Sequence, residues 1–536
     1  MRSSFFEYHV AISGTFTARS NLEIISHNTA NAAIKGYSRQ VPMQKASEPL
    51  ALNNGKGMVG TGSEVYAVTR ERDIFLDTKY WAQSGVMGEY SGKKSQLAMI
   101  EGIFNEMGSN AGLSAAVNDF FAKASDLSTT ANDSTYRTNL IQSANSLAGL
   151  INANANALRK QQTDANSEVS IVVEQINSLG EQIVGLNKRI IAQEMDGSQA
   201  NDMRDERVRL VDELSRLVNI EVNEIDRGTA LNPSNKHYTV TLNGFDFINH
   251  YNINPLMVTE RDIKRNPMDI KGLYDITFMN NNVVFDIYHP KLKGQLKGLI
   301  DIRDGNGASA ASLPVTDYKG IPYYLEKLNT FVRNLSLAID LGMYADRTKI
   351  QGAVGHAYGY NLYSNSGTLM FTFGDEPEYG VLPSILSPAE LAAFIDDFYY
   401  TKMDCFNFRV NKALIKDPKL VNCAPDWLQG ESAYAVTKGF EMINSDPSLF
   451  KEGKLNDFIT AIQSELGIDT KQAGNFEASY GDMMTVIDNQ RIDVSGVDLN
   501  EEMINMVKNQ QLYQASAKLV STINSIYDTL INRLGA

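Results

Sequence analysis

Residues 495–536 read SGVDLNEEMINMVKNQQLYQASAKLVSTINSIYDTLINRLGA. Steps of four and three from Leu499 select Leu499, Met503, Met506, Gln510, Tyr513, Ala517, Val520, Asn524, Tyr527, Ile531 and Leu534. A second row beside it holds Leu512, Ser516, Leu519, Ile523, Ile526 and Leu530. One such row is a coiled-coil seam; two adjacent rows make a broad apolar face. Asp498 with Glu501 three residues on has capping-box spacing, and no proline or glycine interrupts 497–534. The stretch predicts a continuous helix of about 35 residues, about 50 Å long at 1.5 Å per residue. Most stripes of this kind are ordinary core. This one lies at the end of the chain and needs partners.

The N-terminal end offers one. Phe5, Tyr8, Ile12 and Phe16 share one helical face, and Phe6, Val10 and Ile24 another. Apolar residues on two sides suit a helix wedged between neighbours. Then comes SHNTANAAIKGYSRQ at 26–40. Ser and Asn compete with helical hydrogen bonds and glycine ends helices. The stretch reads as a helix stop at the asparagines, a turn at Gly36, and an extended segment carrying Tyr37 and Arg39. His27 beside Asn28 reads as capping rather than catalytic.

Between the ends, GKGMVGTGSEVYAVTRERD gives glycine turns followed by an alternating strand at Val65–Val68. A mostly helical tract runs from about Ile74 to Ile220. Its strongest part is Val169, Val172, Ile176, Leu179, Ile183, Leu186 and Ile190. Asp196-Gly197 breaks it, and Val208, Val211, Leu214 and Val218 mark another helix. Within 221–290, YTVTLNG and NVVFDIY are strand-like. Helix returns at about Pro322–Tyr344, residues 350–400 look irregular or β, and helical patterns resume from about Asp404. No tandem repeat is visible. Helical ends around a β-rich middle suggest domains nested within domains, with both ends building the innermost layer.

The length of 536 residues suggests about three or four units. At 43% hydrophobic and 21% charged, each can bury a core. A net charge of −14 argues against a nucleic-acid binder or an anionic membrane surface as partner. Cys405 and Cys423 are too few for a disulfide framework or a zinc site and read as two unrelated thiols. The opening MRSSFFEYHVAISGTF is interrupted by serines and Glu7, so no Sec-type signal peptide is expected. No stretch approaches the ~18 apolar residues of a membrane span. Gly55-Lys56-Gly57-Met58-Val59-Gly60 matches GxGxxG, but without a strand before and a helix after it reads as a turn. Asp301–Gly307 (DIRDGNG) lacks calcium-loop spacing and reads as a polar turn. The histidines show no metal or catalytic spacing, and neither GxSxG nor a P-loop occurs. Nothing points to catalytic, cofactor or metal residues.

With these residues in view, the ends resemble a known family. Asn28, Asn31, Gly36, Tyr37, Ser38 and Arg39 resemble the Asn-x-x-Asn and Gly-Tyr signature of flagellar rod, hook and hook-associated axial proteins. Gly36-Tyr37-Ser38-Arg39-Gln40 and VSGVDLNEEMINMVKNQQLYQASAKLVSTINSIYDTLINR are similar to those of members at the hook–filament junction. Asp202-Met203-Arg204-Asp205-Glu206-Arg207, Asp212-Glu213-Leu214 and GMVGTGSEVYAVTRERDIFL also fit. Ile34-Lys35 departs from the usual Thr-Pro before the glycine. The resemblance implies a mainly α fold with β-rich insertions and no enzymatic activity. It implies an inner coiled-coil-like domain from 1–60 with 492–536. A mostly helical domain follows, from 61–220 with 291–349 and 404–491. Outward-facing insertions are expected at 221–290 and 350–403. The expected subunit-interface residues are Phe5, Tyr8, Ile12, Phe16, Leu499, Met503, Met506, Tyr513, Ala517, Val520, Ile523, Tyr527, Ile531 and Leu534. The implied partners are copies of the chain, the hook protein, a second junction protein (hook-associated protein 3) and an export chaperone on the C-terminal helix, with no nucleic acid or membrane. The expected location is extracellular, on the flagellum, after type III export without a cleaved signal. A hook or distal-rod role, or an enzyme or adhesin housed in 221–435, is the alternative.

Overall fold

The computed structural model describes residues 6–51, 57–104, 112–195, 197–226, 236–308, 316–374, 380–382, 386–425 and 435–533. It is 62% helical, with long terminal helices and small antiparallel sheets between them. Helix α1 (Phe6–Asn31) leads into β1 (Gln40–Ala46), the short strands β2 (Leu50–Ala51) and β3 (Met58–Val59), and β4 (Ser63–Arg70). β1 pairs antiparallel with β4, with an irregularity at Met43/Gln44, and β2 pairs with β3 as an extension of that arm. The alternation at Val65–Val68 thus becomes a strand. Gly55 and Lys56 of the GxGxxG match lie outside the described residues; Met58–Val59 is strand β3.

Four helices follow: α2 (Ile74–Phe104), α3 (Leu113–Thr129), α4 (Ser134–Glu194) and α5 (Asn201–Leu217). α4 has 61 residues, about 90 Å at 1.5 Å per residue. Asp133 caps it by accepting from the Thr135 amide at 2.7 Å. Its apolar residues at three- and four-residue spacing are buried along the whole length.

The insertion after α5 is a four-stranded meander of β5 (Glu221–Asp226), β6 (Lys236–Leu242), β7 (Phe245–Asn249) and β8 (Asn252–Ile253). Asn243 and Gly244, with φ 49° and 81°, make the two-residue turn between β6 and β7. A separate hairpin joins β9 (Leu256–Glu260) and β10 (Tyr274–Phe278). The NVVFDIY segment does not form the expected strand. It makes one bridge, Thr277 to Val284, and then folds into turns in which His289 bonds back to Asp286 and Leu292 to His289.

Next come α6 (Gln295–Asp304), α7 (Ile321–Leu341), β11 (Phe371–Thr372), α8 (Pro388–Ile395), β12 (Arg409–Val410), α9 (Lys412–Lys416), α10 (Ala435–Ser445), α11 (Leu455–Ser495) and α12 (Leu499–Asp528). Two expectations change here. Ser387 and Glu390 form a capping box that starts α8 inside a stretch read as irregular or β. Long helix resumes at Ala435, not Asp404. The Asp404 carboxylate takes the amides of Phe406 and Asn407, each at 2.9 Å, and the Asn411 amide bonds the carbonyls of Leu369 and Gly380. Side chains that satisfy backbone in this way hold turns rather than helix.

The buried apolar residues form two cores. One joins α3, the first half of α4, α7, the 343–424 segment, α10 and the start of α11. The other joins the second half of α4, α5, α6 and the β-rich insertion, with Trp81. α4 is the common rod of both. No residue of α1 or α12 belongs to either core.

Candidate assembly interface

Among the described residues α12 packs chiefly against α1, and the two run in opposite directions. Asn21 Nδ2 donates to Asn509 Oδ1 at 2.9 Å. Seven residues earlier on α1, Gly14 lies against Ser516, seven residues later on α12. The positions least exposed on α12 are Glu502, Asn505, Met506, Asn509, Ser516, Val520, Ile523 and Tyr527. Only Glu502 and Asn509 are fully buried. The most deeply buried part of the seam between the terminal helices is therefore polar, with Met506, Val520, Ile523 and Tyr527 half-buried beside it. Other large apolar residues point elsewhere: Leu499, Met503, Ile504, Val507, Leu512, Leu519, Ile526, Leu530 and Ile531 are exposed, Leu519 to 58% and Met503 to 63%.

Of the interface residues expected from sequence, Leu499, Met503, Tyr513, Ala517 and Ile531 are exposed, and Met506, Val520, Ile523 and Tyr527 are half-buried toward α1. On α1, Phe16 is 61% exposed, and Tyr8 and Ile12 are half-buried. Phe5 and Leu534 lie outside the described residues. The apolar row is thus not one seam: its members divide between the α1 contact and open surface.

At one end of this pair the chain is tied to the helical body. The helix runs through Asn28, whose side chain bonds without breaking it, and ends at Asn31, the second asparagine of the stretch. Asn31 Nδ2 donates to the His27 carbonyl at 2.9 Å. Asn28, buried, reads the returning strand: its Nδ2 donates to the Gln40 carbonyl at 2.9 Å and its Oδ1 accepts the Gln40 amide at 3.0 Å. Tyr37 Oη also donates to Asn28 Oδ1, at 2.8 Å. His27 Nδ1, 2.9 Å from Tyr37 Oη, is left to donate to that oxygen. Burial, then Asp202, Asp205 and Glu502, push the Tyr37 phenol above its ordinary range, so it stays a donor. Gly36, with φ 86°, makes the reversal.

The next three residues of the motif reach across the fold. Ser38 places its amide and hydroxyl on the two oxygens of Asp205, both at 2.8 Å. Arg39 bonds Glu502 through Nε at 2.8 Å and Glu501 through Nη2 at 2.6 Å, and its amide donates to the Ser495 carbonyl. Gln40 Nε2 donates to Asp202 at 2.7 Å. The network continues inward. Arg70 bonds Asp205 at 2.6 Å, and Arg72 holds Asp77 with two hydrogen bonds. Arg491 bridges Asp77 at 2.8 Å and Asp212 at 3.0 Å, and Trp81 Nε1 donates to Asp212. One set of charges thus joins α1, β1, β4, α2, α5, α11 and α12. Buried ion pairs add little net stability, but removing one member strands a charge at a cost of about 3–5 kcal/mol. The clasp fixes an angle more than it adds stability.

The expected Asp498–Glu501 capping box is only half formed. Asp498 accepts the Asn500 amide at 2.8 Å, while Glu501 is taken by Arg39. Arg72, Asp77, Trp81 and Arg491 received no role from sequence. Their signal was weak: charges following a strand, and one arginine near the end of a long helix. DIRDGNG is not a free turn. Asp301 and Asp304 end α6, where Asp301 meets Lys93, and Asp304 meets Arg261 and Arg303. Among the described residues no group of side chains could hold a metal ion, and no helix is long and apolar enough to cross a membrane.

Known proteins share these regions. The family described as flagellar hook-associated protein FlgK helical domain matches residues 97–340, and the flagellar basal body rod FlgEFG protein C-terminal family matches 488–534. Flagellar hook-associated protein 1 of Bacillus subtilis (strain 168) is 26% identical over 551 residues, covering 100% of this chain and 99% of the relative. The protein of that name from Escherichia coli (strain K12) is 24% identical, covering 97% and 98%. A solved structure of the flagellar hook junction protein FlgK from Burkholderia pseudomallei aligns with 56% of this chain and 47% of its own at 18% identity, with a TM-score of 0.43. The chain thus carries a FlgK-type helical domain and is similar along its whole length to flagellar hook-associated protein 1.

Proposed function

We propose that the chain is a structural subunit of the bacterial flagellum that forms the junction between hook and filament by polymerising through its terminal helices. The observation that carries this reading is the outward placement of nine large apolar residues of the C-terminal helix, away from its contact with α1. Nine large apolar residues left in water oppose solubility unless something covers them. Covering them at about 1 kcal/mol for each half-exposed side chain gains about 10 kcal/mol gross, against the entropy of ordering the ends.

The polymerising unit is 1–60 with 492–536. Tyr8, Ile12, Phe16, Leu499, Met503, Met506, Tyr513, Ala517, Val520, Ile523, Tyr527 and Ile531 meet neighbouring copies, together with Phe5 and Leu534. The helical unit of 61–220 with 291–349 and 404–491 surrounds it, and the insertions at 221–290 and 350–403 face outward. Contacts of this kind repeat head to tail and are heterologous. The finer partners are the hook protein on one side and hook-associated protein 3 on the other. Before that, an export chaperone covers the C-terminal helix of a chain exported to the outside of the cell. The role is structural and not enzymatic, as in the relatives.

Cryo-electron microscopy of intact flagella, with an antibody to residues 221–290 as marker, tests this. The label is expected at the hook–filament boundary, with Leu512, Leu519 and Ile526 buried on adjacent subunits. A density in which those residues face solvent overturns the reading; a label along the hook or rod reassigns the chain within the axial family.

A further inference from the structure

The α1–α12 seam has an unusual composition for a pair that must hold. One heptad row of it is Gly14, Asn21 and Asn28 on α1, with Glu502, Asn509 and Ser516 on α12. This row holds no large apolar residue before Ile523, while half-buried Met506, Val520 and Tyr527 lie beside it on α12 and Ala11, Ala18 and Ile25 are buried on α1. Two positions of the row look outward from the pair, Asn28 to the Gln40 backbone and Glu502 to Arg39. Two meet as side chains, Asn21 and Asn509, exposed to only 6% and 9%. Two meet as a close approach, where a Cβ built on Gly14 would sit 3.8 Å from Ser516 Cβ and 3.1 Å from its Oγ.

We propose that Asn21 and Asn509 are the positioning pair that sets the register of α12 along α1, and so the height at which the outward rows are presented to neighbouring subunits. The physical reason is the cost of sliding. A seam of leucines at sevens tolerates a slip of one heptad, because leucine meets leucine again. A single buried amide pair does not, since a slip separates the partners. Sliding one way brings Ile523 to the Gly14 approach, where only a small side chain fits, and sets Asn21 against Ser516. Sliding the other way brings Asn509 to Gly14 and sets Asn21 against Glu502, which then leaves Arg39. Each one-heptad slip moves Leu512, Leu519 and Ile526 by about 10 Å along the axis. An assembly that reads those residues would not tolerate such an error. This inference concerns pairing within one chain, and it stands or falls separately from the location of the chain on the flagellum.

The test is a disulfide ruler on the full-length chain. G14C with S516C reports the observed register: the 3.8 Å separation of the two Cβ positions is the mean for a disulfide. G14C with I523C reports a slip of one heptad. Cys405 and Cys423 are buried and do not compete. Oxidation followed by peptide mapping is expected to give the 14–516 bond at least about tenfold over the 14–523 bond when the asparagines are present. In the N21L/N509L background the helices should stay formed, with far-UV circular dichroism unchanged. The preference should nevertheless fall to about threefold or less, because leucines hold the pair without choosing its register. The single variant N21L, which leaves one amide buried beside leucine, should weaken the pair and slow formation of the 14–516 bond. A 14–516 preference unchanged in N21L/N509L overturns the proposal and leaves register to the Arg39 clasp. Equal 14–516 and 14–523 bonding in the unaltered background overturns it as well, since no register would then be held.

Discussion

α7 and α12 make the instructive pair. Both are long helices rich in leucine, isoleucine and aromatic residues. In α7, 16 of 21 residues are buried. In α12, two of 30 are, and both are polar. α7 is surrounded by α4, α6, α10 and the 343–424 segment, so every face finds a partner. α12 packs chiefly on α1, and the only two residues it buries fully are polar. Apolar content therefore did not decide burial. The central helix is finished within one chain; the terminal helix finds tertiary contact on one side only, and most helix stability comes from such contact.

The largest effect that can break this contrast is deletion of residues 497–536. Neither core contains a residue from that segment. The truncated chain should melt within a few degrees of the intact one by calorimetry, while the cells bearing it make no filaments. Filaments of normal length on such cells would end the assembly reading. Collapse of the calorimetric transition would show instead that α12 supports the cores.

A matched pair of substitutions sharpens the same point. Leu328 of α7 is fully buried and Leu519 of α12 is 58% exposed. Leu328→Ala should cost about 2–5 kcal/mol in denaturant unfolding. Leu519→Ala should stay within about 0.5 kcal/mol for the free chain and yet reduce incorporation into flagella. Equal costs in the free chain would mean that α12 already has a hidden partner in the monomer.

How far sequence carries is visible in these same helices. The run from Val169 to Ile190, the Val65–Val68 alternation and the helix at 322–344 were legible because each repeats one period over a buried face. The face that α12 turns to α1 was not. Apolar spacing marks where burial can occur, and the stripe from Leu499 to Ile531 divides between the α1 contact and open surface, while the fully buried pairing positions are polar. The signal that would have found the seam was Gly14, Asn21 and Asn28 at sevens against Glu502, Asn509 and Ser516. The clasp was half legible. GYSRQ and DMRDER both stood out, but Ser38 and Asp205 are 167 residues apart, and nothing local announces that they meet. NVVFDIY failed for another reason. Phe285 and Ile287 are buried while Val284 is exposed, and packing against the insertion core satisfies the buried pair without a ladder.

Acid should separate the two regions by a smaller amount. His356 is fully buried in the central core; Nε2 accepts the Asn422 amide at 2.9 Å and Nδ1 donates to the Thr368 carbonyl at 2.7 Å. Burial holds its pKa down to about 4; the Thr368 bond opposes this and nearby Arg137 adds to it. The unfolded chain, with an ordinary imidazole near 6.5, binds the proton first. Stability from this group is therefore present above about pH 6.5 and is lost as pH falls toward about 4, by at most about 3 kcal/mol at 1.36 kcal/mol per unit. Unfolding measured from pH 7 to pH 4 should show that slope, and His356→Gln should flatten it. A slope unchanged in the variant would assign the acid sensitivity to other groups.

The smallest effect is local and falls on the boundary between the two regions. Arg39→Ala removes the guanidinium from Glu501 and from Glu502, which is 2% exposed. Bonds to charged groups are worth about 1.5–3 kcal/mol each. Glu501 is exposed and can turn to water, and Arg39 lies at the partly open edge of the clasp, so the loss is set by Glu502, falls below that of a fully buried pair, and comes to about 2 kcal/mol. That energy does not hold the cores together, and global unfolding should barely move. It holds α12 at its angle to α11 across Gly496-Val497-Asp498. Amide exchange in α12 should therefore rise by about thirtyfold, the equivalent of about 2 kcal/mol at 1.4 kcal/mol per factor of ten, while α4 and α7 keep their protection. Arg39→Lys can meet one carboxylate but not both in a fork, so it should fall between. If exchange in α12 is unchanged by either variant, the terminal pair is held by its seam alone, and the ion pairs at Arg39 describe geometry without governing it.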